Sequence, residues 1–65
     1  MMQWRYYAQT EHAMVGERVA LVHAGHYRGY VVRVVDERWV QIKWDDNPPS
    51  NLAGYAEIGQ VEFLT

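Results

Sequence analysis

Arginine and aromatic side chains interleave through the middle of this sequence, in the residues Tyr27, Arg28, Tyr30, Arg33, Trp39, Gln41 and Lys43. Guanidinium groups pair with phosphates and lie flat on rings, and exposed rings stack on bases. This mixture suits contact with single-stranded nucleic acid. The plainer alternative is a solvated strand face with ordinary ion pairs.

Other residues invite catalytic or metal chemistry and do not carry it far. Asp45-Asp46 has the makings of an acid and base pair or a hard-cation site. Placed before Asn47-Pro48-Pro49, the two carboxylates serve a turn equally well. His23 and His26 have a spacing that suits a shared metal, but a site needs three or four ligands. Neither His12 nor the carboxylates supply a recognisable third. There is no Ser–His–Asp pattern and no glycine-rich phosphate loop. The expectation is therefore a non-catalytic binding module, with no metal and no cofactor.

Charge sharpens this and limits it. The chain has six Lys and Arg against eight Asp and Glu, for a net charge of −2. Arg18, Arg28, Arg33 and Arg38 against Glu17, Asp36 and Glu37 give the stretch 17–38 a balance of +1. Lys43 against Asp45, Asp46, Glu57 and Glu62 gives 39–65 a balance of −3. A net acidic chain has no general attraction to phosphate, so any strand contact must be local.

The elements that position these residues are strands. Glu17 to His23 alternates apolar and polar residues. The run Ala24-Gly25-His26-Tyr27-Arg28-Gly29 reads as a glycine loop. Tyr30 to Val35 holds four valines, a density that favours a pleated, largely buried strand. Asp36-Glu37-Arg38 is a polar turn. In Trp39 to Trp44, Val40, Ile42 and Trp44 share one face while Trp39, Gln41 and Lys43 share the other. The loop 45–51 cannot continue a strand. Leu52 to Glu57 forms a fourth strand, Ile58-Gly59-Gln60 a 3₁₀ turn, and Val61 to Leu64 a short last strand.

Length bounds the whole. At 65 residues there is room for one domain, which hides only about 60% of its unfolded surface. Cys is absent, so no disulfide or thiolate site supports it, and a cytoplasmic location is expected. No apolar run approaches the ~20 residues of a membrane span. Several short strands joined by tight turns imply an all-β fold. A small barrel is the expected solution, because closure removes exposed edges.

Nine aromatic residues are many for such a core. Trp44, Tyr55 and Phe63 are expected inside. Tyr27, Tyr30 and Trp39 fall near one outer face. Trp4, Tyr6 and Tyr7 belong to a leader, residues 1–15, which serves as an N-terminal aromatic arm or an extra strand. Rings are enriched at interface cores, so these three are expected at a contact between copies in a homo-oligomer.

Gly16-Glu17-Arg18-Val19 through Gly25, then Arg28-Gly29-Tyr30-Val31, then Val40-Gln41-Ile42-Lys43-Trp44-Asp45-Asp46, resembles the KOW and Tudor branch of SH3-like barrels. The resemblance covers residues 16–64. It implies a five-stranded SH3-like barrel over 16–65 with a 3₁₀ turn before the last strand. It also implies contact with nucleic acid or a nucleic-acid-associated protein through loop 25–29 and the outer face of 39–44. A Tudor-like aromatic cage for a methylated Lys or Arg is a further implication, with Tyr27, Tyr30, Trp44, Asp45 and Tyr55 as its candidates.

More distantly, the spacing is similar to the plasmid type II dihydrofolate reductases, SH3-like chains that form a tetramer around one pore. There a Val-Gln-Ile-Tyr run binds cofactor and folate. At the matching place this sequence has Leu52-Ala53-Gly54-Tyr55, so only the tyrosine corresponds. Val40-Gln41-Ile42 lies one strand earlier and is followed by Lys43. An oligomeric barrel without reductase activity is what this likeness implies.

Overall fold

The computed structural model describes residues 2–46 and 54–65. Among them are six strands, two short 3₁₀ turns and no α-helix. The strands are β1 (Trp4–Arg5), β2 (Arg18–Leu21), β3 (Ala24–Val34), β4 (Trp39–Trp44), β5 (Tyr55–Glu57) and β6 (Val61–Leu64). They form one sheet in the order β1-β6-β2-β3-β4-β5, and every pair is antiparallel. The all-β expectation holds at that level: five of the strands lie within 16–65 and the sixth, β1, lies in the leader. Pairing runs from β1 to β5 and no ladder joins those two ends among the described residues. The open edges are only two and three residues long, which limits pairing with a foreign strand.

Two boundaries differ from the sequence reading. Residues 24–29 were expected as a loop, yet Ala24–Val34 is one long strand. Arg28 and Gly29 pair with Ala20 and Val19, and the reversal sits earlier, between Leu21 and Ala24. In the leader, strand pairing stops after Arg5, and a 3₁₀ turn follows at His12–Met14. The turn at Ile58–Gln60 and the last strand stand where expected. Of the expected loop 45–51 and fourth strand 52–57, residues 47–53 lie outside the described residues, and β5 begins at Tyr55.

The core follows from alternation. Val40 and Ile42 of β4 point inward and are nearly inaccessible, with Val19, Val31, Val61 and Phe63 around them. The leader contributes Met14, which is 1% exposed. Its Sδ accepts a hydrogen bond from the Glu11 backbone N–H at 3.4 Å. Gly16, with φ at +91°, turns the chain from the leader into β2, a conformation that other residues rarely adopt. Its N–H donates to the Val31 carbonyl at 2.8 Å.

Gly29 has a different constraint. A Cβ there would lie 2.8 Å from Ile42 Cγ2, 2.9 Å from the Trp44 Cα, and against the Lys43 carbonyl oxygen. The absence of a side chain lets β3 and β4 cross closely at the end of the ladder.

One irregularity sets the outer face. Val31 pairs with Ile42, but Arg33 pairs with Gln41, so Val32 is an extra residue. Such a bulge re-aims the side chains that follow it. Without it Arg33 would share the inward side with Val31. With it, Val32 and Arg33 both lie outward and Val34 returns to pack on the core.

Candidate functional site

The outward face of β2, β3, β4 and β5 carries two cross-strand rows. In one, Tyr30 sits between Arg18 on β2 and Lys43 on β4. In the next, Gln41 sits between Arg33 on β3 and Tyr55 on β5. Directly opposite residues have Cβ atoms about 5 Å apart, so each row is a continuous strip. Tyr30, Trp39 and Tyr55 keep 36%, 40% and 40% of their surface exposed.

Hydrogen bonds fix part of this face. Arg33 Nε donates to Gln41 Oε1 at 3.1 Å. Arg18 holds Asp45 in a two-pronged pair, Nη1 to Oδ1 at 3.1 Å and Nη2 to Oδ2 at 2.7 Å. The hydrogen bond from Arg18 keeps the Asp45 carboxyl below the ordinary range and raises the guanidinium in turn. Arg38 lies 3.6 Å from Glu57. Among the described residues, Arg28, Arg33 and Lys43 form no ion pair.

The structure therefore brings Tyr30, Arg33, Gln41 and Lys43 together. Trp39 stands on the same side of β4, opposite Glu57. Two backbone N–H groups, of Arg38 and Trp39, donate to Asp36 Oδ1 at 2.9 Å each, and this turn sets where Trp39 enters the strand.

Arg28 and Tyr27 have other engagements. The Arg28 guanidinium lies 5.4 Å from the centre of the Trp4 ring, and its Nε donates to the Gly25 carbonyl at 3.0 Å. Tyr27 is half-buried and packs at a tilt on His26, with ring centres 4.2 Å apart.

Tyr55, expected in the core or in an aromatic cage, is exposed opposite Gln41. Period-two counting from the buried Ala56 places it there. Arg18, expected only as one of the arginines of the basic stretch 17–38, stands on this face one residue before buried Val19.

The leader extends the sheet at the β6 edge. Trp4 and Arg5 pair with Leu64 and Phe63, and Gln3 and Thr65 exchange backbone hydrogen bonds at 2.7 and 2.9 Å. Tyr7 meets Phe63 edge-on at 4.9 Å between ring centres, and its hydroxyl donates to Glu17 at 3.4 Å. Burial, then the Glu17 charge, raises the Tyr7 phenol. Tyr6 is 61% exposed. Its hydroxyl donates to Glu62 at 3.0 Å, and that bond raises its phenol. Thus Tyr7 is used within its own chain, while Trp4 is joined to the outer face through Arg28.

The remaining candidates separate. Trp44 packs against the core, on the opposite side of the sheet from Tyr30 and Tyr55, so these rings do not surround one pocket. Its indole Nε1 is buried with no partner among the described residues. No group of three His, Cys, Asp or Glu that could hold a metal ion occurs among the described residues. No helix of the described residues is long and apolar enough to cross a membrane. Leu52 and Ala53, compared above with the reductase run, lie outside the described residues.

Comparison with models of protein families, with curated proteins and with solved structures finds no match to this chain.

Proposed function

We propose that this protein is a small binding module whose outer sheet face holds single-stranded nucleic acid. The observation that carries the proposal is the meeting of Tyr30, Tyr55, Arg33, Gln41 and Lys43 in two adjacent rows. Each ring offers a base a stacking surface, worth about 1–3 kcal/mol per base. The cations between them offer phosphates local charge despite the net −2 of the chain.

Charge complementarity supports this occupant over a protein. Three carboxylates on the strands and at their ends are engaged: Asp45 by Arg18, Glu57 by Arg38, and Glu62 by the Tyr6 hydroxyl. Among the described residues, Arg33 and Lys43 pair with no carboxylate. The bulge at Val32 adds support, because it puts an arginine on this face at the cost of regular pairing, a device found beside functional sites.

In this reading the sheet is the core of an SH3-like five-strand barrel, β6-β2-β3-β4-β5, with β1 added at its edge. Two features favour that assignment. β2 and β6, the first and last of these strands along the chain, are neighbours, and a 3₁₀ turn precedes β6.

A salt titration tests the proposal. Binding of a labelled single strand should weaken as salt rises, with a log–log slope corresponding to about two or three phosphate contacts. Tyr55→Ala should weaken it about fivefold or more. Absence of binding at low salt, or an affinity indifferent to both salt and Tyr55, contradicts it.

A further inference from the structure

We infer that the Arg33–Gln41 pair recognises the edge of a guanine in the strand held on this face. The inference rests on the strand-binding reading and extends it, because it assigns a base preference to two residues.

Arg33 Nε donates to Gln41 Oε1. Arginine has no acceptor, so the amide oxygen is the group that must face it. Gln41 keeps its NH₂, with two donors, and one lone pair of Oε1, while Arg33 keeps the fork of Nη1 and Nη2. The pair therefore presents chiefly donors. Lys43, two positions along the same side of β4, presents donors too. Among the described residues no carboxylate pairs with Arg33 or Lys43. A donor-rich surface with a two-pronged fork selects a ligand with adjacent acceptors.

Guanine meets this requirement on an edge without a donor, O6 and N7 lying side by side. Adenine replaces one of these acceptors with a donor, thymine offers one acceptor beside a methyl, and cytosine sets its paired acceptors N3 and O2 next to the N4 donor on its Watson–Crick edge. The position of Tyr55 fits as well. It flanks Gln41 on the side away from Arg33, two strand spacings or about 10 Å from it. A base stacked on Tyr55 and lying over Gln41 turns its edge toward the Arg33 fork. The competing partner for that fork is a phosphate, which brings no base preference.

Fluorescence anisotropy at low salt with the full chain separates these outcomes. The probes are labelled thymine strands of about ten nucleotides carrying isolated guanines, adenines, 7-deazaguanines or no replacement. The guanine strand should bind about tenfold more tightly than plain thymine. Loss of N7 should remove most of that gain. Arg33→Lys, which keeps the charge and loses the fork, should bring the guanine-to-thymine ratio close to one. Equal binding of all four strands, or a preference that survives Arg33→Lys, overturns the guanine inference and leaves strand binding standing. Binding of none of them overturns the strand-binding reading itself.

Discussion

Arg33 and Gln41 face each other across β3 and β4, joined by a hydrogen bond of 3.1 Å, because Val32 is inserted into the β3 ladder. Strict alternation from Val31 would turn the arginine into the core.

Removing the extra residue is therefore predicted to be mild. Deletion of Val32 leaves Val31 opposite Ile42, Arg33 opposite Gln41 and Val34 opposite Val40, a regular ladder in which no side chain changes face. Urea unfolding followed by circular dichroism should show a cooperative transition within about 1 kcal/mol of that of the parent chain. Loss of the cooperative transition would contradict this register, because a slip of one residue would then have exchanged the two faces.

The contact at Gly29 gives a second prediction. Gly29→Ala forces a Cβ onto the β4 backbone and should cost about 1–3 kcal/mol by the same assay, as overpacking does. Gly25 and Gly59 have nothing within 4 Å of an added Cβ. Their alanine variants should change stability by less than about 1 kcal/mol. Equal losses at all three glycines would refute the close crossing of β3 and β4.

Much of this architecture was legible in the sequence, and the misreadings have physical causes. Trp39 to Trp44 was readable because its two faces differ sharply in polarity, and the structure keeps both. The turn at Ile58–Gln60 was readable from Gly59 between two short apolar runs. Residues 24–29 were misread because their glycines resemble a loop, whereas Gly29 is there for the close approach of β4. Met14 was not singled out, since the short run Ala13-Met14-Val15 has no period that marks one of its residues as core. The bulge left no local signal, as four valines around one arginine fit several registers. On the outer face, Tyr30, Arg33, Gln41 and Lys43 were found by residue type. Tyr55 was not placed there because it was expected in the core or in an aromatic cage.

The leader should contribute to stability through Tyr7. Tyr7→Ala removes the edge-on contact with Phe63 and should cost about 1–3 kcal/mol. Tyr6→Ala, at an exposed ring, should cost no more than about 0.5 kcal/mol. Reversal of that order in urea midpoints would show that the arm does not dock through Tyr7.

Tyr7 also predicts alkaline behaviour. Its folded phenol titrates above the ordinary value because burial and Glu17 favour the neutral form. A raised folded value gives stability that is complete below about pH 10 and lost as pH rises through the folded value. Phenolate absorbance should lag in the folded chain, and Tyr7→Phe should reduce the alkaline loss of stability. An unchanged loss in that variant would assign it elsewhere.

At the acid end, Arg18 holds the Asp45 carboxyl low. A depressed folded value gives stability that is present above about pH 3.9 and lost as pH falls through the folded value. Carbon NMR should find Asp45 titrating below that reference, and Arg18→Ala should move it back up. An Asp45 value indifferent to Arg18 would show that the pair does not form in solution.

The most direct test of strand binding is amide chemical-shift mapping of the full chain during addition of a short single strand. Shifts should concentrate at Tyr30, Arg33, Gln41, Lys43 and Tyr55, and leave Met14 and Glu17 on the other side unmoved. No shifts at saturating strand concentrations, or shifts centred away from these two rows, would contradict the account.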